Sequence, residues 1–489
     1  MVVMMGDDEI LCKKQRLTKE NSTDADESKS EITSASSKEL ASKIFKLNAD
    51  CFDEIFEYLS LKDLHSFSQT CRALQKVSGE YYKLNWRAAE KFIGNDGIYT
   101  IYTNDKSVIK TQTSGFNQFT QFLSLHYEDF EPFRYIKTHA DEFIRVNHLY
   151  LVCVGLNSAK MTYFEGILPQ IETVQIRQCT IWNGDFYEII LQHCEHKLKR
   201  LYVQDDLGDI INRMHNPWLL RKYPSLEHLE LTPRYSYEIV ELGQFFDLNP
   251  NIRSFSIGSH CLWMNRKQLM DSGIKLDLLE VKHFDSGFYF YHVEKLSIPS
   301  ICTILNQLFE RGLYKRLHLS VIDIDKESID QMASIQGLER LSVKEANGMT
   351  AQILSNLKNL KELSIMDCSN TDWDEVAGNL TKLEKLFIQN ATYDDMLAFI
   401  RRSSQLKLIK VFPRDKEHFN GGVMDLVKLN EVRKKLPNAR KLIIYIEDNI
   451  FLPTKWNTDN GDTNLSYIEM KRSKSLCWDY DCSTFKTIH

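Results

Sequence analysis

Glycine and proline are scarce in this chain of 489 residues, 20 and 10 respectively, which excludes collagen-like, mucin-like and linker-dominated architectures. No Cys-x-x-Cys pair occurs among its 11 cysteines, which argues against a zinc ribbon or a thioredoxin-type site. The number is odd and the residues are scattered from Cys12 to Cys482, unlike the dense, even set of a disulfide framework. There is no run of 18 uncharged apolar residues, so no segment is expected to span a bilayer. The opening MVVMMGDDEI turns acidic before an apolar core of signal-peptide length develops. The expected compartment is therefore a reducing one, cytoplasm, nucleus or both. A net charge of −6 gives no global reason to expect nucleic acid or a membrane as partner.

Catalytic signatures are missing too. The chain holds no Gly-rich phosphate loop ending in Lys-Ser/Thr, no G-x-S-x-G elbow and no H-E-x-x-H. His193, Cys194 and His196 lie close together, but on one predicted helix and with no third or fourth ligand in view. No enzyme, no cofactor and no metal are expected.

What is present is ordinary globular stock, 43% apolar and 26% charged. Between Leu17 and Lys43 only Leu17, Ala25, Ile32, Ala35, Leu40 and Ala41 are apolar, too few to offset the entropy of ordering, so residues 1–43 read as a disordered arm. Its basic cluster Lys13, Lys14 and Arg16 reads as a solvated charge run or a nuclear signal. The character changes at Ile44. Leu47, Cys51, Ile55 and Tyr58 recur at helical spacing, and Phe52, Phe56 and Leu59 follow displaced around the same helix. Two apolar stripes on one helix call for cover on more than one side. Ser60 and Asp63 form a capping-box pattern opening a second helix, Leu61 to about Leu74. A third helical stretch holds Tyr81, Tyr82, Leu84 and Trp86. So small a module, residues 44–88, supplies apolar surface for only one face of its first helix. The other face should meet another chain or the next domain.

The run Leu47, Asp50, Cys51, Ile55, Phe56, Leu59, Asp63, Leu64, Cys71, Arg72 and Trp86 resembles an F-box. Asn48 departs from the usual proline, Asp50 from the usual glutamate and Leu74 from a frequent tryptophan. Asn48 remains a good helix N-cap.

Downstream the pattern L-x-x-L-x-L, with other aliphatics allowed, starts at Val146, Ile171, Leu198, Leu226, Ile252, Leu276, Tyr314, Leu338, Leu360, Leu383, Leu406 and Ala439. The steps run from 22 to 28 residues, apart from two of 38 and 33, which is the period of leucine-rich repeats. A further match, Val293-Leu296-Ile298, falls inside the longer step. Helical period follows the strands, as at Phe186-Ile189-Ile190-Cys194, Ile301-Ile304-Leu308 and Val423-Leu426-Leu429-Val432. The expected fold class is α/β: a small helical F-box, then a leucine-rich-repeat solenoid over 146–450 with parallel strands on the concave face and helices outside. Residues 89–145 read as a connector or degenerate capping repeat, with a strand at Ile98–Thr103 and burial of Phe116, Phe119, Phe122 and Phe130. Residues 451–489 read as a polar tail that either caps the last repeat or stays disordered.

Period-2 alternation exposes on the concave face the residues between the consensus aliphatics. In the carboxyl-terminal half these include Arg316, His318, Arg340, Lys344, Lys385, Phe387, Gln389, Lys410, Phe412, Lys441 and Tyr445, with Glu362 as the one acid. A basic strip dotted with aromatics suits an acidic or phosphorylated segment of a partner. The expected substrate contacts are Arg316, Arg340, Lys344, Lys385, Phe387, Lys410, Phe412 and Lys441.

An F-box ahead of leucine-rich repeats resembles the substrate receptors of SCF-type cullin-RING ubiquitin ligases. The resemblance implies docking on a Skp-family adaptor, and through it on a cullin and a RING subunit, while the repeats hold a protein substrate for ubiquitination. It carries the adaptor contact to Leu47, Cys51, Ile55, Phe56, Leu59, Leu61, Leu64 and Trp86. Two other readings stay open. One is a non-ligase leucine-rich-repeat scaffold or inhibitor; the other, favoured less, is an RNA-binding solenoid.

Overall fold

The computed structural model describes residues 44–473, except 45, 87–88, 95–96, 105–106, 127–129, 182–190, 195, 205–215, 233–237, 285–297, 322–328, 346–353, 368–371 and 416. The arm 1–43, Val293 and Leu296, and Trp478, Tyr480, Cys477 and Cys482 lie outside the described residues. The chain forms two compact units that divide after Leu84.

The first unit is helical. Helix α1 (Ala49–Glu57) opens at Asn48, whose side chain accepts the Cys51 amide at 2.9 Å. Helix α2 (Leu61–Ser68) opens at Ser60, which accepts the Asp63 amide and donates to the Asp63 carboxylate. This helix stops at Ser68 rather than near Leu74, and a separate α3 (Arg72–Asn85) follows. The polar run around the break explains the stop. The hydroxyls of Ser66, Ser68 and Thr70 donate to the carbonyls of Lys62, His65 and Phe67, competing with helix continuation. The aromatic centre is Phe56, whose ring lies 5.2 Å from Tyr81, 5.5 Å from Phe67 and 5.6 Å from Phe52. Edge-to-face contacts of this kind add to the area buried.

The second unit is built on a 17-stranded sheet. Its start is β1 (Glu90–Gly94), β2 (Gly97–Asn104), β3 (Ser107–Gln112) and β4 (Phe122–His126). β2 pairs antiparallel with β1 and β3, and β1 is parallel to β4. From β4 onward every strand is parallel to its neighbour. These are β5 (His148–Val152), β6 (Thr173–Arg177), β7 (Arg200–Gln204), β8 (His228–Thr232), β9 (Ser254–Gly258) and β10 (Leu276–Phe284). They continue as β11 (Tyr314–Val321), β12 (Leu338–Glu345), β13 (Glu362–Asp367), β14 (Lys385–Ala391), β15 (Leu408–Pro413), β16 (Leu442–Ile446) and β17 (Ile468–Arg472). The fold class is thus a short helical module followed by a mostly parallel leucine-rich-repeat sheet, mixed α/β.

The consensus aliphatics form one row across the strands. Leu151, Ile176, Val203, Leu231, Ile257, Val281 and Leu319 stand side by side, all but fully buried. Between β11 and β12 the motif slips: Leu319 faces Leu341, not Val343. A slip of two residues keeps each side chain on its own face, because the side-chain period of a strand is two. Helices α4 (Phe130–Thr138), α5 (Leu242–Leu248), α6 (Ser259–Met264), α7 (Arg266–Asp271), α8 (Ile298–Glu310), α9 (Ile329–Ala333), α10 (Trp373–Asn379), α11 (Tyr393–Arg402), α12 (Leu426–Lys434) and α13 (Asp448–Asn457) close the units. Ile298, the end of the extra motif match, starts α8. Buried asparagines stitch repeat to repeat. Asn249 accepts the Tyr223 amide and donates to the Arg221 carbonyl; Asn265 accepts the Ile239 amide and donates to the Cys261 carbonyl. Such bonds satisfy main-chain groups that a solenoid buries at its turns.

Both ends of the array differ from the spacing-based boundaries. β4 pairs in register with β5, and Phe116, Phe119 and Phe122 are buried, so repeat-like pairing begins before Val146. At the other end β17 extends the sheet to Arg472, past residue 450. The Leu465 amide donates to the Ile468 carbonyl and the Met470 amide to the Thr463 carbonyl, which covers the outer edge of this last strand. Arg472 clamps the Asp448 carboxylate through two nitrogens.

Candidate functional site

Two surfaces stand out, one in each unit. In the first, α1 carries its two apolar stripes on different sides. Phe52 and Phe56 are buried, with Leu61 and Leu64 of α2. The other stripe faces solvent: Leu47 is 37% exposed, Ile55 40% and Tyr58 47%, Cys51 is exposed, and Leu59 is half-buried. Of the eight residues assigned to the adaptor by resemblance, then, Leu47, Cys51, Ile55 and Leu59 reach the surface. Phe56, Leu61 and Leu64 pack inside, and Trp86 is buried in the following unit. Tyr58 belongs to the exposed stripe and is absent from those eight. Its helical spacing from Cys51 and Ile55 is the signal that marks it. Asp50, Asp53, Glu54 and Glu57 of α1 flank the stripe, and α1 itself contains no Lys or Arg. Burial, with Asp50 and Glu57 nearby, raises the Asp53 carboxyl above its ordinary range.

The second surface is the sheet face turned away from the helices. Register brings together side chains far apart in sequence. Glu280, His318, Arg340, Glu362 and Lys385 sit side by side on five consecutive strands. Beside them Lys282 is buried against Glu230, itself fully buried, at 2.5 Å. Glu230 also accepts from Gln204 at 2.6 Å. The Ser256 hydroxyl donates to Glu280 at 2.7 Å, and Lys385 lies 2.7 Å from Glu362. Burial disfavours the charge on Glu280, yet Lys282, Arg340, His318 and Ser256 together hold its carboxyl down at about 2.

The expected basic strip is therefore a row of alternating charges over much of its length. Lys385 is paired with Glu362. Lys441 bonds Asn464 and lies 3.8 Å from Glu469 of β17, an acid the motif count did not place on this face. Phe387 and Phe412 are buried with ring centroids 5.6 Å apart, and Lys410 is buried with its ammonium 5.4 Å from the Phe412 centroid. Arg316, Lys344 and Lys441 are exposed, and Arg340 is half-buried, close enough to Glu280 and Glu362 to lower both carboxyls.

His318 supplies a pH dependence. Burial pushes its imidazole down to about 4; Glu280 and Glu362 pull upward, and Arg340 and Arg316 downward. A folded-state value below the unfolded one means the unfolded chain takes the proton first, so stability falls as pH drops from about 6.5 toward 4. Glu280 acts in the same direction at lower pH, its contribution being present above about 4.5 and lost toward 2. The urea midpoint of the wild type should drop between pH 7 and pH 5, and His318→Gln should flatten that drop.

Among the described residues no group of three or more His, Cys, Asp or Glu side chains is placed to hold a metal, and no helix is long and apolar enough to cross a membrane. His193 and His196 are exposed, whereas Cys194 is buried.

These features define a small helical module followed in the chain by a leucine-rich-repeat array. Residues 44–81 match the F-box domain. No curated protein matches the chain. Among solved structures, the yeast Rad7–Elc1 complex is similar to 79% of this chain, over 94% of its own, at 14% identity and a TM-score of 0.33. An internalin, inlF of Listeria monocytogenes, is similar to 68% of this chain, over 81% of its own, at 14% identity and a TM-score of 0.24.

Proposed function

We propose that this protein is a substrate receptor of an SCF-type ubiquitin ligase. The F-box docks a Skp-family adaptor, and through it a cullin and a RING subunit, and the repeats hold a protein destined for ubiquitination. The observation that carries this reading is the open stripe on α1. Helix α1 and the residues at its two ends leave Ile55 and Tyr58 nearly half exposed beside Leu47 and Cys51, although the same helix buries Phe52 and Phe56. Apolar side chains spaced i, i+4, i+7 along a helix are the anchors of helix-in-groove recognition. We assign the adaptor contact to Leu47, Cys51, Ile55, Tyr58 and Leu59, with Phe56, Leu61 and Leu64 holding the helices in place beneath it.

The chain would act by position rather than by chemistry. Holding a substrate lysine near a charged conjugating enzyme raises its effective concentration and supplies no acid, base or nucleophile. The sheet face supports capture of an acidic segment at Arg316, Arg340 and Lys344, with Lys385 and Lys441 as charge partners. The buried Phe387, Lys410 and Phe412 would shape the floor there.

The full chain should co-purify with a Skp-family adaptor and a cullin. Ile55→Asp with Leu59→Asp should weaken adaptor binding by at least about a hundredfold, the scale of a lost interface hot spot. Sheet stability should be unchanged, because both residues lie in the helical unit and not in the repeats, and circular dichroism checks that the helices persist. Full retention of the adaptor by the double variant would refute the reading and leave a repeat scaffold in its place.

A further inference from the structure

On the helical side of the sheet, α7 and α8 leave a groove of about 480 Å³ between them. The sequence of α8 explains why it is open. Ile301, Ile304, Leu305 and Leu308 turn into the core, which aims Ser300, Thr303 and Gln307 at α7. Short and polar side chains do not fill the space between two helices as an apolar ridge would. The floor is apolar, made by Trp263, Met270 and the edge of Ile304.

The rim is cationic. The Arg266 guanidinium sits 4.4 Å from the Trp263 ring centroid and donates to the Trp263 carbonyl at 2.6 Å. Arg311, beyond the far end of α8, donates to the Met270 carbonyl at 2.9 Å. Lys267 is exposed beside them, and Asp271 is the one carboxylate among the lining residues. Three cations face one acid in a chain whose net charge is −6. Each guanidinium has five N–H donors, more than these bonds occupy, and both are oriented before any ligand arrives. From Ser300 to Arg311 the groove wall rises about 16 Å at 1.5 Å per residue. That length matches about five residues of extended chain.

We propose that this groove binds an extended acidic peptide segment of a partner protein. One apolar side chain sits on Trp263, Met270 and Ile304, and carboxylates on either side pair with Arg266 and Arg311. The surface is separate from both the α1 stripe and the open sheet face, and the inference does not rest on the ligase reading.

The test uses the full chain and a fluorescein-labelled Asp-Asp-Phe-Asp-Asp peptide, followed by anisotropy at low salt. Binding should weaken at least about tenfold when Phe is replaced by Gly in the probe, and again when Arg266→Glu and Arg311→Glu are combined, as charge-paired anchoring requires. Thr303→Trp, an exposed position that fills the groove, should block the probe without altering the circular dichroism. The sheet-face variant Arg316→Glu should bind as the wild type does. No binding at low salt overturns the proposal. So does binding that survives both groove variants, or binding that Arg316→Glu abolishes.

Discussion

Replacing Arg433 with leucine is expected to unfold the carboxyl-terminal repeats first and to cost about 3–5 kcal/mol. The side chain is wholly buried in α12. It donates to five main-chain carbonyls: Ile400 and Ser403 through Nη1, Ser404 and Leu406 through Nη2, and Arg440 through Nε, at 2.6 to 3.2 Å. Ile400 belongs to the last turn of α11 and Ser403 follows it. There the carbonyls have no helical partner and the helix end is partly negative. Burial lowers the guanidinium to about 10, so it stays charged at neutral pH. Leucine would fill part of the volume and leave buried acceptors unpaired. Against a typical total of about 5–15 kcal/mol, that is a large share. Because repeats are stabilised mainly by their neighbours, the loss should be local. Hydrogen exchange should rise across 393–446 while β5 to β8 keep their protection. Arg433→Lys, with three donors on one nitrogen, should recover only part of the loss. Unchanged exchange in the leucine variant would show that the carbonyls find other partners.

The second large effect concerns Lys282 and Glu230. Lys282→Met should destabilise the array by about 3–5 kcal/mol, the range for removing one partner of a buried ion pair. The carboxylate left behind would keep its bond from Gln204 but lose its cation. The double variant Lys282→Met with Glu230→Met should cost less than the sum of the single changes by at least about 2 kcal/mol. Urea unfolding of the four proteins gives that coupling directly. Additive effects would mean that the two groups do not act as a pair, despite the contact.

The repeat period was legible because each unit buries the same three aliphatic positions, and a single spacing rule finds them. Strands whose motif includes a non-aliphatic residue do not show in that pattern. Leu465-Ile468-Met470 has the same spacing as its neighbours and ends the sheet, but methionine and a polar setting hid it. Thr120-Leu123-Leu125 did the same at the other end. The two stripes of α1 were visible as spacing. Which of them faces inward depends on where α2 and α3 pack, and that is not a local property. Helix α2 ended early because hydroxyls bonding back to carbonyls, at Ser66, Ser68 and Thr70, leave no periodic signature.

Charge was the hardest feature to read. Alternation marked Lys385, Lys441 and Glu362 as residues of one face, but pairing needs register between strands, and the slip at β11 and β12 moves Arg340 opposite His318. Arg433 shares a helix face with Leu426 and Leu429, at i+7 and i+4, so its burial had a signal. An arginine in a helix otherwise reads as a solvated residue.

Adaptor docking requires a partner to cover the outer stripe of α1, and the thiol of Cys51 lies in the middle of that stripe. Its alkylation by iodoacetamide, followed by peptide mass spectrometry on the full chain, reports the cover residue by residue. With a saturating Skp-family adaptor the Cys51 rate should fall at least about tenfold, as expected where an interface excludes water, while Cys153 in the repeats reacts as before. An unchanged Cys51 rate in a complex shown to have formed would place the adaptor elsewhere and contradict the account.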